Sequence, residues 1–72
     1  MTQDFSDVVK LKIEKIKSSP DIAVNFVKDA LLTGWTEEDI QRGFYLNGFA
    51  KEDTDVLILK GKEKLTDLLG GE

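Results

Sequence analysis

Val56-Leu57-Ile58-Leu59, four aliphatic residues followed by Lys60 and Gly61, decide the fold of this chain. Read as a short buried strand with a helix after Gly61, they give a mixed α/β domain; read as helix, they leave the chain all-α. A strand needs a partner. The competing alternating stretch, Val9-Lys10-Leu11-Lys12-Ile13, runs on into Glu14, Lys15 and Lys17, which are good helix formers with no turn residue between. The reading is therefore one helix from about Glu52 to Leu69, with Leu57, Gly61, Leu65 and Leu68 on a single face. Gly61 inside it costs ~1 kcal/mol relative to Ala, or else permits close packing.

Upstream, the punctuation is helical throughout. Asp4 or Ser6 caps a first helix running to about Lys17, with Phe5, Val9, Ile13 and Ile16 on one face. Ser18-Ser19-Pro20-Asp21 starts a second. Ser19 is placed to accept from the next turn's N–H groups, Pro20 sits where its missing donor costs nothing, and Asp21 meets the positive end of the helix dipole. Ile22, Phe26 and Ala30 form one stripe and Ala23, Val27 and Leu31 its neighbour, ending at Gly34. A third helix of about ten residues follows Thr36, which caps it with Asp39 three residues on and Trp35 stapled to Ile40. It turns Ile40, Phe44 and Leu46 inward and stops at Asn47-Gly48, both tolerant of positive φ. Gly34-Trp35-Thr36-Glu37-Glu38-Asp39 and Gly48-Phe49-Ala50-Lys51-Glu52-Asp53 are near-repeats fourteen residues apart: a glycine stop, an aromatic under the core and an acidic first turn. The expectation is one all-α domain over residues 1–72, a bundle of three to four helices, with 70–72 as a flexible tail.

Composition removes whole chemistries. The 72 residues include no Cys and no His, so there is no disulfide, thiolate metal site, cysteine nucleophile or imidazole base. Catalysis would fall to carboxylates, Lys, Tyr45 or hydroxyls with shifted pKa values, and a domain of this size buries only about 60% of its unfolded surface. The expectation is no enzyme. Met1-Thr2-Gln3-Asp4-Phe5 lacks the basic and apolar regions of a secretory signal, and four aliphatics fall far short of the ~18 to 20 that span a bilayer, so the expected place is the cytoplasm, with no membrane partner.

The net charge of −4 is unevenly spread. Residues 1–20 carry Lys10, Lys12, Lys15 and Lys17 against Asp4, Asp7 and Glu14, whereas residues 37–55 set six acids against Arg42 and Lys51. An acidic centre repels phosphate backbones. As a helix–turn–helix, residues 36–60 put bulky Phe44 near the position of a small residue and three carboxylates at the start of the reading helix. Weak nucleic-acid binding through the lysines stands as a second alternative only. Asp53-Thr54-Asp55 has calcium-loop spacing, but Leu57 and Ile58 occupy positions that need an oxygen and a glycine; Gly61-Lys62 lacks the upstream glycine of a phosphate loop. No metal or cofactor is expected.

From Asp21 to about Leu59 the chain resembles the ubiquitin-associated (UBA) type of three-helix domain: an apolar helix, Gly34-Trp35-Thr36 at the Gly-aromatic loop, Ile40, Gly43 and Phe44 at core spacing, and Gly48 before the last helix. It departs from that pattern in having Thr33 where Met commonly precedes the loop Gly and Gly43 where Ala is usual. The resemblance implies a small hydrophobic patch for a protein partner, formed by Gly34, Trp35 and Thr36 with the last helix. Leu65-Thr66-Asp67-Leu68-Leu69-Gly70-Gly71 is similar to the end of double-glycine leader peptides, with Leu68 and Leu65 four and seven positions before the cleavage point, although only Glu72 follows.

The functional expectation is a small acidic protein–protein interaction module, an adaptor, inhibitor or regulatory protein without catalysis, binding another protein or itself as a homodimer. Its candidate site is an apolar groove near Trp35, Phe44 and Phe49, with Gly34 and Thr36 beside it, or the acidic face at Glu37, Glu38 and Asp39. The first alternative is a helical leader of a ribosomally made, modified peptide.

Overall fold

Apolar spacing and helix-stop residues divide the chain into four helices, and a computed structural model, which describes residues 4–70, shows all four. They are α1 (Phe5–Ser18), α2 (Pro20–Thr33), α3 (Glu37–Leu46) and α4 (Lys51–Leu68). Among the described residues there is no strand: Val56 to Leu59 lie inside α4. The chain is all-α. Gly71 and Glu72, two of the three residues expected as a tail, lie outside the described residues.

Two glycines set how closely the helices cross. At Gly61 a Cβ would stand 2.6 Å from Val27 Cγ1 and 3.3 Å from the Lys28 nitrogen, so the bare backbone of α4 lies directly on α2. At Gly43 a Cβ would stand 2.5 Å from the Phe5 ring and 3.2 Å from the Ser6 nitrogen, where α3 crosses the start of α1. Gly61 is thus a contact point, the second of the two roles open to it. The propensity lost at each glycine is offset by burial that no larger residue permits.

The core is the set those crossings bring together: Phe5, Val9 and Ile16 from α1, Ala23, Val27 and Ala30 from α2, Ile40 and Phe44 from α3, and Ile58 from α4. Three expectations need correction. On α4 the buried line is Thr54, Ile58 and Gly61, one step round from the expected stripe, leaving Leu57 half-buried and Leu68 exposed. Leu46, expected inward, is 69% exposed, because the inward face of the short α3 is already filled by Ile40, Gly43 and Phe44. Ile22 on α2 is exposed while Ala23 beside it is buried, since small residues suit the close α2–α4 approach.

Capping follows the sequence at some ends and not at others. Thr36 Oγ1 accepts from the Asp39 N–H at 3.2 Å, and Pro20 takes the first position of α2. The Asp4 and Ser19 side chains make no capping hydrogen bond; only their carbonyls accept, from the N–H groups of Asp7 at 3.0 Å and Ala23 at 3.1 Å, as the Thr36 carbonyl also does from Ile40. Asn47 keeps a negative φ of −101°, so Gly48 alone takes the left-handed turn there, at φ 89°. The Asn47 amide instead donates to the Gly43 carbonyl at 2.8 Å and the Ser6 carbonyl at 3.0 Å, tying the end of α3 to the start of α1.

Candidate functional site

The two glycine–aromatic junctions share one local design. The Gly34 N–H donates to the Leu31 carbonyl and the Trp35 N–H reaches back to Ala30, while Gly48 donates to Tyr45 and Phe49 to Phe44. This is the paired closure of a Schellman stop, which needs a left-handed residue and throws the next side chain back onto the helix just ended. Gly34 at φ 116° and Gly48 at φ 89° supply that conformation. Trp35 and Phe49 are therefore turned against the core, and both are half-buried.

Their surroundings differ. The Trp35 ring lies 5.2 Å from the Phe5 ring between centroids, and Phe5 also stacks with Phe26 at 5.4 Å. Phe5 at the start of α1 thus packs on the Trp35 ring while Gly34 and Thr36 stay exposed, and Trp35 borders two small clefts, one of about 80 Å³ with Asp4, Phe5, Arg42 and Leu46 among its lining and one of about 180 Å³ with Val8, Lys12, Phe26 and Thr33. Phe49 stacks edge-on against Phe44 at 4.9 Å and faces a wider groove of about 440 Å³. Ile16, Ala23, Phe49 and Leu57 form the floor of this groove, and Pro20, Val24 and Val56 its walls. Its lining comes from the N-terminal side of the Gly61–Val27 crossing on both α2 and α4, and from the end of α1. Lys17, Asp53 and Lys60 stand at its rim, and the Lys17 ammonium lies 5.8 Å from the Phe49 ring centroid.

The expected site residues therefore do not share one surface. Phe44 is fully buried and joins the two aromatic junctions from inside, so it presents nothing to a partner. Gly34, Thr36, Glu37 and Glu38 are exposed at the start of α3, Trp35 packs under Phe5, and Phe49 belongs to the groove at the other end. Glu37 also pairs with Lys62 of α4 at 3.0 Å, so part of the acidic face is answered within the chain. Sequence reasoning missed Val56, Leu57, Ile16 and Val24 as lining. The excess of aliphatics on α4 becomes a signal only once Thr54, Ile58 and Gly61 are known to face inward, which leaves no core place for Val56.

Among the described residues no group of three or more carboxylates converges as a metal cage, and every buried side-chain polar atom has a hydrogen-bond partner. Among the same residues no helix is long and apolar enough to cross a membrane. Compared with protein-family models, curated proteins and solved structures, the chain matches none. The fold and this surface define a small four-helix bundle with an open apolar groove.

Proposed function

We propose that the chain is a protein–protein interaction module without catalysis of its own, and that it binds through the groove between α1, α2 and α4. One observation carries the reading: Val56 is 48% exposed on the wall of a groove floored by Ile16, Ala23, Phe49 and Leu57, on a bundle whose crossings are held by two glycine contacts. A concave apolar surface on a rigid scaffold is the usual receptor for a partner's apolar side chains. The absence of Cys and His from the sequence supports a role in binding over one in chemistry.

The resemblance to UBA domains would put the partner surface at Gly34, Trp35 and Thr36. We place it at the groove instead, because Phe5 already packs on Trp35. Gly43, a departure from the UBA pattern, fits the same arrangement: an Ala there would meet Phe5.

Photocrosslinking tests this reading. With benzoylphenylalanine in place of Val56, irradiation in the native cell extract should give a discrete protein adduct. The same group in place of Leu11, an isolated apolar residue 78% exposed on α1, should give none. No adduct from position 56, or equal adducts from both positions, would overturn the assignment of the groove.

The leader-peptide reading is favoured by one feature: Leu68 and Leu69 are 60% and 71% exposed just ahead of Gly70. Deleting residues 70–72 should abolish processing in the native context on that reading and leave partner binding unchanged on ours.

A further inference from the structure

The rim of the groove carries more information than its floor. In a chain of net charge −4, it is two lysines, Lys17 on the α1 side and Lys60 on the α4 side, that flank the apolar opening, against the single carboxylate of Asp53. The Lys17 ammonium at that rim lies 5.8 Å from the centroid of the Phe49 ring. An incoming carboxylate would meet it beside the Phe49 ring and be attracted there, the more so at low salt. An incoming cation would be repelled at the same point, and selectivity comes as much from that repulsion as from attraction.

A second copy of the chain fits poorly. In a two-fold dimer the same patch faces itself, and a groove does not fill a groove. The groove needs a convex, apolar and acidic occupant. An amphipathic helix with apolar residues at i, i+3, i+4 and i+7 and acids beside them has that shape and charge.

Resting on the reading that this groove is the binding site, we propose that its occupant is an amphipathic helix of a partner protein whose apolar anchors are flanked by carboxylates, recognised by Ile16, Phe49, Val56 and Leu57 below and by Lys17 and Lys60 at the rim.

The test uses the full chain and two synthetic fluorescein-labelled helices with identical leucine spacing, one flanked by glutamates and the other by lysines. The glutamate helix should bind at least about tenfold more tightly at low salt, by anisotropy, and lose most of that advantage as salt is raised. It should shift the methyl resonances of Val24, Val56 and Leu57. In a Lys17→Glu/Lys60→Glu double variant, whose changes fall on exposed side chains, the preference should reverse while the circular dichroism spectrum is unchanged. Equal binding of both helices with shifts still at the groove would overturn the acidic partner while leaving the interaction module intact. Binding of neither helix, or shifts confined to residues around Trp35, would overturn the proposal, and the position-56 crosslink then decides separately whether the groove assignment falls with it. Groove methyls that move with protein concentration alone would show a second copy as the occupant and likewise overturn it.

Discussion

Gly34-Trp35 and Gly48-Phe49 close their helices with the same hydrogen bonds and the same left-handed glycine, yet one aromatic packs on Phe5 beside two small clefts and the other borders a wide groove. The difference is not in the junctions. It lies in α1, which starts against Trp35 and ends at Phe49: its first residue, Phe5, is an aromatic that packs on the Trp35 ring, whereas its last turn offers Ile16 to the floor and Lys17 to the rim. Local chemistry sets the turn, and the neighbour across from it decides how wide a cleft is left beside the half-buried aromatic.

Phe44 joins the two junctions, so removing it should give the largest effect. Phe44→Ala leaves a void among Phe5, Phe26 and Phe49 and should cost ~3 to 5 kcal/mol, enough to unfold most of a domain this small, read by urea denaturation. A variant that loosens the Phe49 end while Trp35 keeps its emission would show the junctions to be independent.

The crossings come next. Gly61→Ala and Gly43→Ala each gain ~1 kcal/mol of helix propensity but drive a Cβ into fully packed neighbours, Val27 or Phe5, at a cost of ~1 to 3 kcal/mol or more. Both should lower stability; a gain at position 61 would mean that α4 is free to move off α2.

The caps distinguish the junctions more finely. Thr36→Ala should lose ~1 kcal/mol, because the Thr36 hydroxyl is the one side-chain acceptor at the start of α3, while Ala50→Asp should gain ~0.5 to 1 kcal/mol at the uncapped start of α4. Thermal unfolding of the two variants should move in opposite directions. Smallest of all, Lys62→Ala removes a half-exposed pair with Glu37 and should change stability by less than ~0.5 kcal/mol.

Much of this was legible in the residues. Gly34, Thr36 and Pro20 mark helix ends by local chemistry, and α3 has the expected ten residues. The choice of helix for Val56 to Leu59 followed from the want of a strand partner, and the structure agrees. What could not be read was which side of α4 turns inward. Two apolar lines compete on that helix, and the winner is fixed by Gly61 seating on Val27, a contact between residues far apart in sequence. Asn47 was missed for the same reason: its amide satisfies the Ser6 carbonyl, 41 residues away. The candidate site was only half legible, since Phe49 could be named as an aromatic after a glycine but not told apart from Trp35 without knowing where α1 begins and ends.

Trp35 borders only small clefts and Phe49 the wide groove, and a single NMR titration of the full chain with the glutamate-flanked helix reads both ends at once. Trp35 is the chain's one tryptophan, so its indole N–H is an unambiguous reporter. The account predicts that the Val56 and Leu57 methyls and the Phe49 ring shift progressively while the Trp35 indole stays where it is. Movement of the Trp35 indole with the groove resonances unchanged would contradict it.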